Sequence, residues 1–296
     1  MIEAEGLHKR FGSVVALSGV GFRAGDGRIT GLLGPNGAGK STTLRILYAT
    51  LAADAGQARV DGQIVSAANT AARTRIGVLP HNAGLYPALS ARENIEYFGR
   101  LAGLTRVAAR SRADELIEML DMQDIATRSA KGFSQGQKIR TALARALVHA
   151  PRNLILDEPT SGMDPAGIQE IRALLRSLAD DDGVTVVLSS HLLDEVQKVC
   201  DRVAIFDHGR LTAEGRIGDL IAGQERLRLR EDVAVAQVEL AHDLARQRHQ
   251  LDAFLRRHAG GRLVHQQQAR RIGERHRELD ALQIAIGEHA AGAVGL

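Results

Sequence analysis

The order of apolar and polar residues along the first 33 positions predicts strands. Residues 2–7, 14–17 and 20–22 alternate apolar with polar side chains and are separated by glycines, which is the pattern of half-buried antiparallel strands. Residues 28–33 form a more continuous apolar run, which favours a strand buried on both faces. The chain therefore begins with a strand-rich segment that ends in a central strand.

Two local signals after this strand predict a helix and a hairpin. Leucines recur at helical spacing within residues 40–51, so this segment is predicted to form a helix with one apolar side. The dipeptide Asp61-Gly62 interrupts the strand-like residues 57–65, and this pair favours a two-residue turn between antiparallel strands.

A capping box marks the start of a further helix. Ser90 precedes Glu93 by three residues, so that each side chain can bond the other's backbone N–H group. We therefore expect a helix to begin here and to turn Ile95, Phe98 and Leu101 inward.

The second half of the chain alternates between helical and strand patterns. Residues 113–120 and 135–149 show helical spacing, whereas residues 154–156 and 184–188 are short apolar runs suited to central parallel strands. Residues 203–206 are followed by a turn and are interpreted as the last strand. This alternation is typical of an α/β fold.

The domain organisation follows from this order and from a change in composition. Residues 1–225 are predicted to form one α/β domain, with a mixed core sheet, antiparallel N-terminal strands and a helical subdomain at about residues 88–150. In residues 226–296 lysine is absent and Arg, Gln and His become frequent. Residues 233–255 and 272–286 have rough helical spacing. This extension could be a helical hairpin, a poorly ordered tail or a reading-frame artefact.

Bulk properties exclude several classes of protein. The 296 residues are 44% hydrophobic and 25% charged, as in ordinary soluble domains. A formal charge of +3 is too small to indicate nucleic-acid binding. The single cysteine, Cys200, cannot form an internal disulfide, so a reducing compartment is expected. Neither a signal peptide nor an apolar run of membrane-spanning length is recognised, and we expect a cytosolic chain.

The strongest chemical signal is a glycine-rich phosphate-binding loop. It follows an apolar strand and precedes a helix, which is the context that the G-x-x-x-x-G-K-[ST] motif requires. Backbone N–H groups of such a loop and of the following helix face one anion. The lysine is expected to reach the β- and γ-phosphates, the serine to coordinate Mg²⁺, and the threonine to hydrogen-bond phosphate. The nucleotide-binding residues are Gly34, Pro35, Asn36, Gly37, Ala38, Gly39, Lys40, Ser41 and Thr42.

Two carboxylates end the apolar run at residues 154–156. Asp157 and Glu158 are expected at the carboxyl end of a central strand, where parallel α/β sheets bind their ligands. We predict that Asp157 holds Mg²⁺ together with Ser41, and that Glu158 acts as general base on the attacking water.

Over residues 2–220 the chain resembles the nucleotide-binding subunits of ABC (ATP-binding cassette) transporters, which implies the P-loop ABC ATPase fold. Residues 133–137, Phe-Ser-Gln-Gly-Gln, stand where the family has its signature L-S-G-G-Q. The resemblance implies that Ser134 and Gly136 bind the γ-phosphate of ATP held by a second subunit. Phe133 and Gln135 depart from the usual signature.

The same resemblance assigns four further residues to the nucleotide site. Asp164 matches the loop that crosses the dimer interface, and His191 matches the switch histidine that contacts the γ-phosphate and the attacking water. Phe11 matches the aromatic residue on which adenine stacks. His81 stands where the family has a glutamine that contacts Mg²⁺ or water and couples the site to the membrane partner, so both roles are in doubt.

The function implied by the resemblance is ATP hydrolysis coupled to export. Two copies would sandwich two MgATP molecules head to tail and drive an integral membrane permease from the cytoplasmic side of the membrane. Several segments look most like sodium-efflux (NatA-type) exporters. Two alternatives are a soluble ABC ATPase that acts on nucleic acid or ribosomes and a cassette that binds ATP without turnover. The single cassette disfavours the first, and the pair Glu158 and His191 disfavours the second.

Overall fold

The structure is a computed structural model that describes residues 1–221. The chain divides into two units, of which the first is Met1–Leu211 and the second begins at Thr212. The predicted extension at residues 226–296 lies outside the described residues, so its existence as a helical hairpin stays a prediction.

The described residues alternate strands and helices. The strands are β1 (Ile2–Phe11), β2 (Val14–Ala24), β3 (Ile29–Leu33), β4 (Ala55–Val60), β5 (Gln63–Ile64), β6 (Ile76–Leu79), β7 (Asn153–Asp157), β8 (Thr185–Ser190), β9 (Arg202–Asp207) and β10 (Arg210–Arg216). The helices are α1 (Lys40–Leu47), α2 (Thr70–Arg73), α3 (Ala91–Leu101), α4 (Arg106–Met119), α5 (Gln135–Leu147), α6 (Pro165–Asp180), α7 (Leu193–Val199) and α8 (Ile217–Ile221). This confirms the predicted α/β class.

Two sheets organise the strands. An antiparallel sheet has the order β2-β1-β4-β5, and a larger sheet has the order β10-β9-β3-β8-β7-β6. In the larger sheet β3, β8, β7 and β6 run parallel, with Leu33 paired to Ser190 and Asp157 paired to Ser189. The carboxyl ends of β3, β7 and β8 therefore meet at one edge, where α/β sheets bind ligands.

Local signals fixed several element boundaries as predicted. The Ser90 side chain accepts from the Glu93 backbone, and Glu93 bonds back to the Ser90 N–H group, which starts α3. Asp61 and Gly62 both have positive φ, at 48° and 75°, as a two-residue hairpin turn requires. The segment between β6 and β7 contains α3, α4 and α5.

Three expectations were wrong in detail. Leu101 is 63% exposed rather than inward, because the buried side of α3 is the stripe that contains Ile95 and Gly99, and Leu101 lies outside it. Helix α1 ends at Leu47 rather than at residue 51, since Ala49 adopts a left-handed φ of 61°. Strand β9 is not the last strand: the polar β10 follows it at the edge of the sheet.

The pKa of His149 gives a pH-dependent prediction for stability. Burial lowers this pKa below its ordinary value of 6.5, while Nε2 donates to the carbonyl of Ile76 at 3.2 Å. The folded chain therefore keeps the ring neutral where the unfolded chain protonates it, so stability is lost as the pH falls. The free-energy advantage of the wild type over His149→Gln is expected to shrink between about pH 7.5 and about pH 5.5 in urea unfolding. A difference that stays constant with pH would contradict this.

Candidate nucleotide site

The loop between β3 and α1 is shaped by close backbone approaches that only glycine permits. A Cβ atom on Gly34 would lie 2.3 Å from the carbonyl oxygen of Phe206. Gly39 has φ of 103° and no room for a side chain, since a Cβ there would lie 2.9 Å from the carbonyl oxygen of Ala16. As the N-cap of α1, Gly39 also leaves the first N–H groups of the helix without a side-chain partner. Those groups and the helix dipole favour an anion at this point.

Lys40 begins α1 and turns back over this loop. Its Nζ donates to the carbonyl oxygens of Gly34 at 2.5 Å and Pro35 at 2.9 Å, and the residue is buried. Burial lowers the pKa of Lys40, while the charges of Glu158 and Asp157 act in the opposite direction. The ammonium group is thus held at the loop on the side that faces the two carboxylates.

Asp157 is the centre of an oxygen-rich cluster at the carboxyl end of β7. Its Oδ1 accepts hydrogen bonds from Ser189 Oγ at 2.6 Å and from Ser41 Oγ at 3.1 Å. Asp157 and Ser189 are buried, whereas Ser41 is half-buried. The structure therefore brings together the two residues, Ser41 and Asp157, that the sequence assigned to a metal.

Glu158 and His191 form a pair beside this cluster. His191 Nδ1 lies 3.0 Å from Glu158 Oε1, and because an ionised carboxylate only accepts, the hydrogen is on Nδ1. The Glu158 side chain is 13% exposed and that of His191 is 42% exposed, so the imidazole lies on the open side. Glu158 also has φ of 52°, a left-handed conformation that non-glycine residues adopt at a cost.

The segment that resembles the signature begins α5. Ser134 is the N-cap: its Oγ accepts from the Gln137 N–H group at 3.3 Å, and its own N–H group donates to Gln137 Oε1 at 3.0 Å. A Cβ on Gly136 would be 3.6 Å from Met163 Cε, which places this turn against the segment before α6. Among residues 1–221, no hydrogen bond joins Ser134 or Gly136 to residues 34–42.

Three other predicted residues lie at separate positions. Phe11 ends β1, is 48% exposed and has Lys9 Nζ at 5.7 Å from its ring centroid. His81 is exposed and follows β6 by two residues. Asp164 is the N-cap of α6, which starts at Pro165, and its side chain makes no capping bond. None of these positions contradicts the predicted roles, which stay predictions.

Two contributors were not assigned from the sequence. Ser189 bonds Asp157, but this partner could be found only from the order β3-β8-β7, which places β8 beside β7. Arg145 is buried in α5 and donates to the carbonyl oxygens of Ala83 and Gly84, at 2.6 and 2.8 Å, thereby holding the loop that follows His81. Its only sequence signal was a charged residue within the apolar stretch of a helix.

Metal ligands and membrane segments were also sought. Within residues 1–221 no group of three or more His, Cys, Asp or Glu side chains could hold a metal. One carboxylate and one hydroxyl nevertheless fit Mg²⁺, which prefers oxygen ligands and is usually bound through one or two carboxylates, waters and substrate phosphates. In the same part of the chain, no helix combines the length and apolarity needed to cross a bilayer.

Comparison with known proteins gives sequence relatives over most of the described chain. Residues 17–161 match the family described as ABC transporter. The daunorubicin resistance ATP-binding protein DrrA3 of Streptomyces coeruleorubidus is 42% identical over 221 residues, which are 75% of this chain and 70% of that protein. The linearmycin resistance ATP-binding protein LnrL of Bacillus subtilis is 38% identical over 74% of this chain and 70% of its own length. The Nod factor export ATP-binding protein I of Ralstonia nicotianae is 37% identical over 75% of this chain and 68% of its own length.

Solved structures share the same fold. The dimeric structure of MJ0796, a bacterial ABC transporter cassette, has a TM-score of 0.69 and 26% identity, and the match covers 73% of this chain and 99% of that one. A dimeric post-hydrolysis state of the same cassette, bound to ADP and Pi, has a TM-score of 0.68, 26% identity and the same coverage.

Proposed function

The chain belongs to the ABC transporter family and is an ATP-binding subunit that hydrolyses ATP, and from this premise we propose that it energises the export of an organic molecule through a separate membrane permease. The proposal is supported by relatives whose names specify drug resistance and Nod factor export. The chain would act at the cytoplasmic face of the membrane, attached through the permease.

The single observation that carries the mechanism is the division of the site. Lys40, Asp157, Glu158 and His191 are grouped at one edge of the sheet, whereas Ser134 caps α5 and, among the described residues, has no hydrogen bond to residues 34–42. A second copy arranged head to tail would bring its Ser134 to the phosphates and complete each site. The dimeric structures of the cassette MJ0796 support the assembly of two copies.

Each side chain of the cis half has a task that its position supports. Lys40 would neutralise charge on the β- and γ-phosphates. Its pKa is lowered by burial, although the charges of Glu158 and Asp157 act to raise it. Ser41 and Asp157 would hold Mg²⁺, which when bound neutralises charge that develops on the phosphates. Phe11 would stack on adenine from its exposed position.

Glu158 and His191 would orient and deprotonate the attacking water. Glu158 accepts the proton of the water, and His191, already bonded to the same carboxylate through Nδ1, would accept the second hydrogen of the water at Nε2. The signature residues Ser134 and Gly136 of the second copy, with the N-terminus of α5, would bind the γ-phosphate from the opposite side. Asp164 would connect the two sites across the interface.

His81 would take the place of the family glutamine in coupling. It follows β6, and Arg145 bonds the carbonyl groups of residues 83 and 84, so that α5 is linked to this loop. A neutral histidine has one donating and one accepting ring nitrogen, as a glutamine has one donating nitrogen and one accepting oxygen.

The sequence and the named relatives indicate different substrates. The sequence resemblance to sodium-efflux exporters predicts sodium ions, but the relatives named above are called after daunorubicin, linearmycin and Nod factor. We therefore favour an organic substrate, selected by the permease.

We also propose that the ATP-binding domain ends at residue 225 and that its helical subdomain comprises about residues 88–150.

The soluble alternative acts on nucleic acid or ribosomes. It is disfavoured by a net charge of only +3 and by relatives that are named for resistance and export.

Two experiments test the proposed function. Cells that lack the gene should become sensitive to an organic drug such as daunorubicin and not to sodium chloride, and the wild-type chain should restore resistance whereas Lys40→Ala should not. The chain solubilised from membranes should be recovered with an integral membrane protein. Sensitivity to sodium alone would restore the sodium assignment, and recovery with ribosomes or nucleic acid would overturn the export role.

A further inference from the structure

A half-buried carboxylate on α7 links the two segments that carry the catalytic pair. Glu195 Oε1 accepts from Thr160 Oγ1 at 2.6 Å, and Glu195 Oε2 accepts from Ser190 Oγ at 2.7 Å. We propose that Glu195 is a positioning residue, which fixes the separation and orientation of Glu158 and His191 by joining their segments. The inference rests on the roles proposed above for this pair.

The two hydroxyl groups belong to different parts of the chain. Thr160 comes two residues after Glu158 at the end of β7, and Ser190 immediately precedes His191 at the end of β8. β7 and β8 are neighbours in the sheet, but their connections diverge after these residues into α6 and α7. The Glu195 carboxylate accepts from both hydroxyl groups and therefore forms a bridge between the two segments where they separate.

The hydrogen bonds of this bridge are of the stronger kind. Thr160 and Ser190 are buried, and each donates its single hydroxyl hydrogen to a charged acceptor at short distance. Ser190 Oγ in turn accepts from the Leu192 N–H group at 3.0 Å, which also fixes the backbone on the far side of His191. The loop that carries His191 is thus held at both ends.

Helix α7 itself is placed firmly enough to act as an anchor. It packs on β3 at Gly31, where a Cβ atom would lie 2.8 Å from Val196 Cγ1 and 2.9 Å from Cys200 Sγ. Such close contact leaves no room for α7 to shift toward the sheet, and it fixes Glu195, which precedes Val196.

The pair that Glu195 supports needs external positioning. The imidazole of His191 is 42% exposed, which leaves it room for other side-chain arrangements. The 3.0 Å contact with Glu158 therefore depends on the two backbone segments staying in register. Loss of the bridge should slow the chemical step more than it weakens ATP binding.

The first test compares Glu195→Ala with Glu195→Gln in the full chain. Glu195→Ala is expected to lower kcat for MgATP by about tenfold to a hundredfold, with KM within about twofold of wild type. Glu195→Gln should recover part of the loss, because its amide can accept from one hydroxyl and donate to the other. Glu115→Ala is the matched control: this exposed carboxylate on α4 pairs only with Arg112 in the described contacts, and its loss should leave turnover unchanged.

A second background separates positioning from general stability. In a Glu158→Gln chain the residual turnover should fall by a smaller factor on Glu195→Ala than wild-type turnover does, since one of the two groups that Glu195 positions has already been removed. If Glu195→Ala fails to fold, Thr160→Val, which removes one arm of the bridge and keeps the volume, is measured in the same way and should lower kcat severalfold.

The outcomes distinguish the two proposals. Suppose that the wild-type chain hydrolyses ATP and that the kcat values of Glu195→Ala and Thr160→Val lie within twofold of the wild-type value. This result overturns the positioning role alone. An equal fold-loss in the wild-type and Glu158→Gln backgrounds, or a rise in KM at unchanged kcat, also overturns it. A wild-type chain without MgATP turnover overturns the proposed function together with this inference.

Discussion

Glu158→Gln should lower the turnover of ATP by about a hundredfold to ten-thousandfold, the range that removal of a general base produces. Glutamine has the size of glutamate and can still accept a hydrogen bond from His191, but it cannot take a proton from water. The Glu158 side chain is nearly enclosed and contacts His191 at 3.0 Å, so no other carboxylate of the described site replaces it at this contact. The measurement is phosphate release under single-turnover conditions.

Binding of ATP should survive this change, which separates it from variants that lose the site. In the proposed site the phosphates are held by the loop, by Lys40 and by Ser41, and Glu158→Gln removes none of these groups. Lys40→Ala, in contrast, should lose most of the affinity for MgATP, because only uncharged groups, which are the N–H groups of the loop and helix and the Ser41 hydroxyl, remain to bind the triphosphate. A Glu158→Gln chain that hydrolyses at the wild-type rate would show that another group is the base.

Ser134→Asp is expected to reduce turnover to about one per cent or less, although ATP still binds to the single chain. Aspartate is as good an N-cap as serine, so α5 should start normally, and its charge suits the helix dipole. In a head-to-tail dimer, however, this carboxylate would face the γ-phosphate held by the other copy, and like charges at such distances repel strongly.

The matched variant for this prediction is Ser134→Asn. Asparagine caps as well as aspartate and has the same size but no charge, so turnover should fall far less. Thermal unfolding should be nearly the same for both variants, which shows that the helix start is intact. Equal activity of the two variants would contradict a contact between Ser134 and a nucleotide phosphate.

The parts of the structure that the sequence predicted well are those encoded within a few residues. The capping box at Ser90, the turn at Asp61 and the strand-loop-helix context of Lys40 each depend on neighbours along the chain, and the structure has all three. The expectation that Leu101 faces inward failed because the choice between adjacent sides of α3 depends on which helices pack against it.

The contacts that complete the site depended on strand order and could not be predicted. Ser189 is close to Asp157 only because β8 lies between β3 and β7. In the sequence nothing distinguishes Glu195 from other acidic residues. In the structure it accepts hydrogen bonds from Thr160 and Ser190. Residues that bind phosphate are thus readable from local motifs, whereas those that position the catalytic pair emerge from tertiary contacts.

The mass of the Glu158→Gln chain in solution, measured by sedimentation with and without MgATP, tests most directly the claim that two copies form each site. We expect a monomer without nucleotide and a dimer at saturating MgATP. Adding Ser134→Asp should abolish the dimer, whereas adding Ser134→Asn should preserve it. A Glu158→Gln chain that binds MgATP and remains single would contradict the composite site.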